Sequence, residues 1–215
     1  MLYMTRRLKC LLCLLVAMTC VAQARTPIRQ WFAVMPDSVL PLLTKTNRLD
    51  FIDFFDYHMD AVVTNRLDGK SHLDTLTVDY LLINYTRSCD VAMKLLSVTD
   101  STDVLCMVTT VKAPMCDSRV AFYDEAWQPI AVERCFVAPQ MADFRTAERT
   151  DSANAAWGRM DIFFKTYHLA LDAPTLTCRL GTTDYLSRDE RGAVAPYIVA
   201  DSLVYSWADG CFVRK

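Results

Sequence analysis

Glycine is scarce in this sequence, 5 residues in 215, and that scarcity leaves little room for backbone loops that cradle phosphates. No GxGxxG, Walker-type or GxSxG pattern occurs, so nucleotide binding and the hydrolase elbow have no local signature. The three histidines, His58, His72 and His168, include no HExxH pair, and no two are spaced to place ligands on one helical turn. A basic surplus is missing too. With 23 Lys and Arg against 25 Asp and Glu, nothing in the balance neutralises a phosphate backbone, and no nucleic-acid partner is expected. What is present, 53% hydrophobic and 11% aromatic residues, describes a folded chain and excludes disorder, collagen and coiled coil.

The N-terminus reads as an export signal. Arg6, Arg7 and Lys9 precede an apolar run of twelve residues from Cys10 to Val21, and Ala22-Gln23-Ala24 forms an A-x-A site with cleavage expected after Ala24. A membrane anchor is the rival reading, but the run falls short of the roughly 20 residues that a spanning helix needs. Lipidation is not expected, because Ala17-Met18-Thr19 before Cys20 lacks the aliphatic and small residues an acylated cysteine requires. Residues 1–24 are thus expected to be a signal peptide and residues 25–215 a single exported α+β unit, periplasmic or secreted.

Removing Arg6, Arg7 and Lys9 with the leader takes 23 basic residues to 20 against 25 acidic, a net charge near −5 on 191 residues. Cys10, Cys13 and Cys20 leave as well. The remaining six, Cys89, Cys106, Cys116, Cys135, Cys178 and Cys211, would sit in a compartment that permits disulfides, and bridging of any pair is left open. None forms a CxxC, so a redox motif or zinc knuckle lacks its first requirement. Cys106, inside the apolar run Val104 to Val108, reads equally well as a small buried hydrophobe.

Patterning predicts α+β with antiparallel sheets and short helices. Asp37 or Ser38 can cap a helix through Thr46 with Asn47 as its stop, and a second helix is expected over Leu49 to Met59. Strand-like runs follow at Val62 to Leu67, Thr77 to Thr86, Val91 to Val98, Val104 to Lys112 and Arg119 to Tyr123, joined by short turns as in an antiparallel meander. Farther on, Ser152 can cap a helix over Ala153 to Phe164. Leu169 to Leu180 is extended with a break at Pro174, and Ser187 to Glu190 forms a capping box for a helix ending before Pro196. Leu203 to Trp207 and Cys211 to Arg214 flank Asp209-Gly210, a type I′ hairpin signal. A weak echo of Phe54 to His58, Thr64 to Leu67 and Thr77 to Leu81 recurs at Phe163 to His168, Thr177 to Leu180 and Thr182 to Leu186. A duplicated unit with similar halves over 30–130 and 150–215, each a helix followed by a meander, would explain the order, as would chance.

Chemical candidates are few. Asp50, Asp53, Asp56 and Asp60, three and four apart, could line one helical face and share a hard cation, or form a solvated acidic face; no EF-hand pattern accompanies them, and no metal or cofactor is assigned. His58 and His168 read as packing or capping residues, and no local protease signature supports a Cys/His nucleophile pair. Aromatics near segment ends are candidates for glycan or partner recognition, with sheet packing as the alternative. Alternation puts Tyr205 and Trp207 on one face of the terminal hairpin, with Phe212 opposite them across the turn.

Several segments together are recognisable. MPDSVLPLLTKTNRLDFIDF (Met35 to Phe54), VTNRLDG (Val63 to Gly69), LTVDYLLI (Leu76 to Ile83), VKAPMCDSRVAFYDEAWQPI (Val111 to Ile130), TDYLSRDER and the terminal LVYSWADGCF resemble a secreted family of Bacteroidales catalogued as domain of unknown function 3256. The resemblance spans roughly residues 30 to 213 and is weakest over Val132 to Asp151. It implies a cell-envelope or extracellular location and supplies no catalytic residues. It also implies a host group that glycosylates exported proteins at Asp-Ser/Thr followed by an aliphatic residue, Ala, Met or Thr. Among five such matches, Thr75, Ser101 and Ser202 are the candidate O-glycosylation sites, while Ser38 and Ser152 double as cap candidates.

The expected function is a non-enzymatic binding or structural module that takes an envelope protein or a glycan. The alternative is a hydrolase of envelope or dietary polysaccharide or peptide, its carboxylates or Cys/His pair assembled only by the fold. Convergent buried carboxylates, or a Cys within reach of a His, would favour the enzyme.

Overall fold

A computed structural model describes residues 25–215; the predicted signal peptide lies outside the described residues. Two antiparallel sheets and several short helices form an α+β fold, as the patterning predicts. Sheet A contains β1 (Val62–Thr64), β2 (Lys70–Leu76), β3 (Tyr80–Thr86), β4 (Cys89–Ser97), β5 (Asp103–Val111), β6 (Asp117–Tyr123) and β7 (Pro129–Ile130), in that spatial order. Sheet B contains β8 (Lys165–Leu169), β9 (Thr175–Leu180), β10 (Ser202–Ala208) and β11 (Cys211–Arg214), again in sequential order.

Sheet A is sandwiched. Side chains alternate across a strand, so Val91, Met93 and Leu95 of β4 and Leu105 and Met107 of β5 meet helices α1 (Ile28–Val34) and α2 (Lys45–Asp56) on one face. The intervening Leu96, Val104, Cys106 and Val108 meet sheet B on the other. Burial on both faces is why β5 reads as an unbroken apolar run rather than an alternating one. Of the remaining helices, α3 (Val132–Cys135) contacts β6 and β11, α4 (Asp151–Trp157) and α6 (Arg188–Val194) pack on each other in a smaller apolar cluster, and α5 (Thr182–Tyr185) follows β9.

The N-terminal helices depart from the prediction. No helix spans 38–46; turns occupy residues 37–43, the helix begins only at Lys45, and Ser38 caps nothing. Thr44 is the true cap, its hydroxyl accepting from the Asn47 amide while the Asn47 side chain accepts from the Thr44 amide. Asn47, expected to stop a helix, therefore helps to start one. The turns are held from inside by Arg48, 1% exposed, whose guanidinium donates to the carbonyls of Phe32, Met35 and Leu43 and to Asp37. Apolar periodicity over Val39 to Leu43 thus reports a loop wrapped around a buried cation.

Elsewhere the differences are smaller. β2 is absent from the predicted strands because its sequence, KSHLDTL, carries few apolar residues, yet Ser71, Leu73 and Leu76 face inward. Helix α4 ends at Trp157, is capped by Thr150 rather than Ser152, and leaves the last part of its predicted span, residues 158–164, as a turn and irregular chain leading into β8. The Ser187 to Glu190 capping box forms as predicted. So does the terminal hairpin, with positive φ at Asp209 (51°) and Gly210 (80°). Of the echoed segments, Phe54 to His58 ends a helix whereas Phe163 to His168 enters a strand, and Thr182 to Leu186 is largely helical where Thr77 to Leu81 turns into a strand.

Candidate functional site

Two charges interrupt the face that β4 turns toward sheet B, Asp90 near its start, paired with Lys112, and Lys94 in its middle. Lys94 is 2% exposed, and an ammonium withdrawn from water is costly unless it is paired. Its Nζ lies 3.0 Å from Asp79 Oδ2 and 3.0 Å from the carbonyl oxygen of Leu171, with the Tyr80 ring 5.7 Å away. Asp79 belongs to the β2–β3 turn, where Thr77 Oγ1 donates to its other carboxylate oxygen. Leu171 belongs to the β8–β9 turn. Lys94 therefore ties the two sheets together at one end.

Trp207 makes a second tie. It sits opposite Phe212 in the terminal hairpin, ring centroids 5.1 Å apart, and stacks on Phe122 of sheet A. Its indole N–H donates to the Ser97 carbonyl at 2.7 Å, and its backbone N–H donates to the Pro174 carbonyl at 2.9 Å. A cleft of about 440 Å³ opens between these ties, lined by Asp79, Lys94, Asp172, Pro174, Trp207 and Asp209 among others. Asp172 and Asp209 are exposed and Asp79 is half-exposed. The two solvated carboxylates, Asp172 and Asp209, can accept hydrogen bonds from hydroxyls, and the fixed indole beside them can pack against a sugar's C–H surface.

The predicted aromatics take different places. Tyr205 and Phe212 are packed into the core between the sheets, each with a ring edge-on to Phe136, so for these two residues the sheet-packing alternative holds and their candidacy as binding aromatics does not. Trp207 is only partly buried and reaches the cleft. Sequence reasoning missed Asp79, Lys94 and Asp172. Lys94 carried a readable signal, a lysine inside the apolar run from Val91 to Leu96.

Of the acidic series, Asp56 pairs with Arg29 at 2.9 Å, and Asp60 lies beyond the end of α2 and 3.4 Å from His72. The four do not form one helical face, and among the described residues no cluster of three or more His, Cys, Asp or Glu is arranged to hold a metal. The predicted glycosylation residues are exposed to different degrees. Ser101 is exposed in the β4–β5 turn, whereas Thr75 and Ser202 are half-buried, each donating its hydroxyl to the preceding aspartate.

All six cysteines in the described residues are free thiols. Burial pushes the Cys106 thiol well above its ordinary value and raises Cys178 to about 12, so both stay protonated and are poor nucleophiles at neutral pH. No cysteine among the described residues has a histidine hydrogen-bond partner.

A family model described as protein of unknown function (DUF3256) matches residues 19–212. Among solved structures, a domain of an uncharacterized protein from Porphyromonas gingivalis W83 is similar, with a TM-score of 0.78 and 28% identity over 87% of this chain and 98% of that one. No curated protein matches the chain.

Proposed function

The chain belongs to the DUF3256 family of proteins of unknown function, and from that premise we propose that it is an exported, non-enzymatic binding module of the cell envelope. Its ligand is a hydroxyl-rich glycan seated in the cleft between the sheets. The observation that carries this reading is the pairing of a fixed indole, Trp207, with the solvated carboxylates Asp172 and Asp209 along one wall-to-wall cleft. Exposed carboxylates serve as acceptors. A glycosidase acid needs instead a carboxyl held protonated by burial or by a like-charged neighbour, and Asp79, the least exposed of the three, is engaged by Lys94.

Export rests on the leader of residues 1–24, and N-terminal sequencing of native protein should begin at Arg25. O-glycosylation at Thr75, Ser101 or Ser202 belongs to the same reading, with Ser101 the most accessible. An intact mass equal to that of the unmodified residues 25–215 would remove it.

The binding test is a glycan array probed with residues 25–215, followed by titration of the best ligand against Asp172→Asn and Trp207→Ala. Binding that weakens by about tenfold in each variant, a loss near 1.4 kcal/mol, supports the cleft. A ligand unaffected by Asp172→Asn, or an array without binders, overturns it.

A further inference from the structure

Sheet B is narrower than sheet A and packs on β4, β5 and β6. Toward the β1 edge, the same face of sheet A is uncovered. Register sets Val62, His72 and Asn84 side by side on that face across β1, β2 and β3, with Thr64 beside Lys70 in the next row. A cavity of about 610 Å³ lies against these side chains, bounded at one end by the β1–β2 turn and by Arg87 of the β3–β4 turn. It shares no lining residue with the cleft at Lys94.

The β1–β2 turn is tightly held. Asn65, 5% exposed, accepts the amide hydrogens of Leu67 and Gly69 on its side-chain oxygen and donates to Ser71 Oγ. That turn fixes Leu67, 74% exposed, at the cavity wall, where Leu42 and Val62 extend the apolar surface. The charges in the wall have one sign. Lys70 and Arg87 line it and are exposed, and no Asp or Glu does. Lys70 Nζ donates one proton to Thr64 Oγ1 at 2.7 Å and keeps two for other acceptors. Arg87 has no ion-pair partner among the described residues. Neighbouring acids are occupied or lie outside the wall: Asp60 is 3.4 Å from His72, Asp90 is 2.8 Å from Lys112, and Asp68 belongs to the turn but not to the lining.

We propose that this cavity binds a carboxylate-bearing amphiphile, a small molecule with a compact aliphatic body and one anionic head. The body lies against Leu42, Val62 and Leu67, and the head accepts hydrogen bonds from Lys70 and Arg87. Charge complementarity decides the class. A neutral ligand gains nothing from two cations, whereas a carboxylate takes charge-assisted hydrogen bonds from both. Size makes it a small molecule, because the volume falls within the range of about 300–1,000 Å³ usual for such sites.

The probe is octanoate, titrated into residues 25–215 and followed by amide chemical shifts, with acetate as the head alone and 1-octanol as the body alone. Octanoate is expected to shift the amides of Leu67, Gly69, Lys70 and Arg87 saturably and to bind about tenfold more tightly than either comparison. Arg87→Gln removes the guanidinium, and Leu67→Asn removes the exposed apolar group. Each weakens octanoate by about fivefold, and because both positions are exposed the melting temperature stays within a few degrees. Raising the salt from about 50 to about 300 mM weakens octanoate and leaves octanol unchanged. The proposal is overturned by the absence of saturable shifts at these amides, by octanol or acetate binding as tightly as octanoate, or by an affinity that neither variant moves. A response to vesicles of anionic lipid but not to free octanoate also overturns it and makes the face a membrane contact.

Discussion

Lys94 Nζ stands 3.0 Å from the Leu171 carbonyl oxygen, so a cation rooted in the middle of one sheet holds the turn that ends the first strand of the other. Its counter-charge, Asp79, is half in water. The two partners should therefore respond unequally to removal. Lys94→Met leaves a carbonyl unpaired and a carboxylate that water can serve, at a cost of about 2 kcal/mol. Asp79→Ala leaves a buried ammonium without its anion and costs more, about 3 kcal/mol. Urea unfolding of both variants checks the order, and a milder Asp79→Ala would contradict this account.

Asp37 bridges Arg48 at 2.9 Å and Arg66 at 2.6 Å. The hydrogen bond from Arg48, and then the charges of both guanidinium groups, hold its carboxyl below the usual carboxylate range. A depressed folded-state value means that the group stabilises the fold above its unfolded pKa, and that this contribution disappears as the pH falls through the folded value. Asp37→Asn should lower the melting temperature at pH 7, and the gap from wild type should narrow as the pH drops below roughly 4. A gap that is constant between pH 7 and pH 3 would exclude the linkage.

Arg48 itself should not tolerate replacement. Its fork serves three backbone carbonyls at once, and leaving buried acceptors unpaired costs about 1–3 kcal/mol each. Arg48→Lys is expected to destabilise almost as much as Arg48→Met, because an ammonium cannot reproduce the planar fork. Comparison of denaturation midpoints decides this.

Thiol accessibility gives a prediction independent of stability. Cys116 is exposed, whereas Cys106, Cys135 and Cys178 are buried. A disulfide-exchange reagent at pH 8 should label Cys116 at once, and peptide mapping should find Cys106 and Cys178 unlabelled until denaturant is added. Early labelling of Cys178 would mean that sheet B opens readily.

Gly210 adopts φ +80°, and a Cβ there would meet only Val98 at 3.6 Å. Gly210→Ala thus tests backbone conformation rather than space, with an expected cost of about 1 kcal/mol. A shift in tryptophan emission should accompany it, because the same hairpin holds the Trp207 indole against Ser97.

Much of the fold was legible where local chemistry alone decides the conformation. Asp209-Gly210 specifies its hairpin through positive φ, Ser187 and Glu190 satisfy each other's amides, and β3 to β6 carry β-branched residues between polar turns. Legibility failed where a distant partner decides. Arg48 gives no sign in its helix that its guanidinium ends inside the turns of residues 35–43. β2 is recruited by pairing with β3 and not by its own propensity. The cleft draws Asp79, Lys94, Asp172 and Trp207 from four separate elements or turns, so no spacing rule could assemble it. Trp207 was identified from the hairpin pattern, but alternation could not reveal that sheet A would cover Tyr205 and Phe212 beside it.

Every strand pair in both sheets joins consecutive strands of the chain. That order has a kinetic consequence. Neighbour-only pairing closes short loops and keeps contacts local, so each strand finds its template already laid down when it emerges. A polypeptide delivered amino end first through a narrow pore could pair all the strands of sheet A before sheet B begins, with no strand waiting for a remote strand. Within sheet B the first strand to arrive is β8, and β9, β10 and β11 follow it in turn.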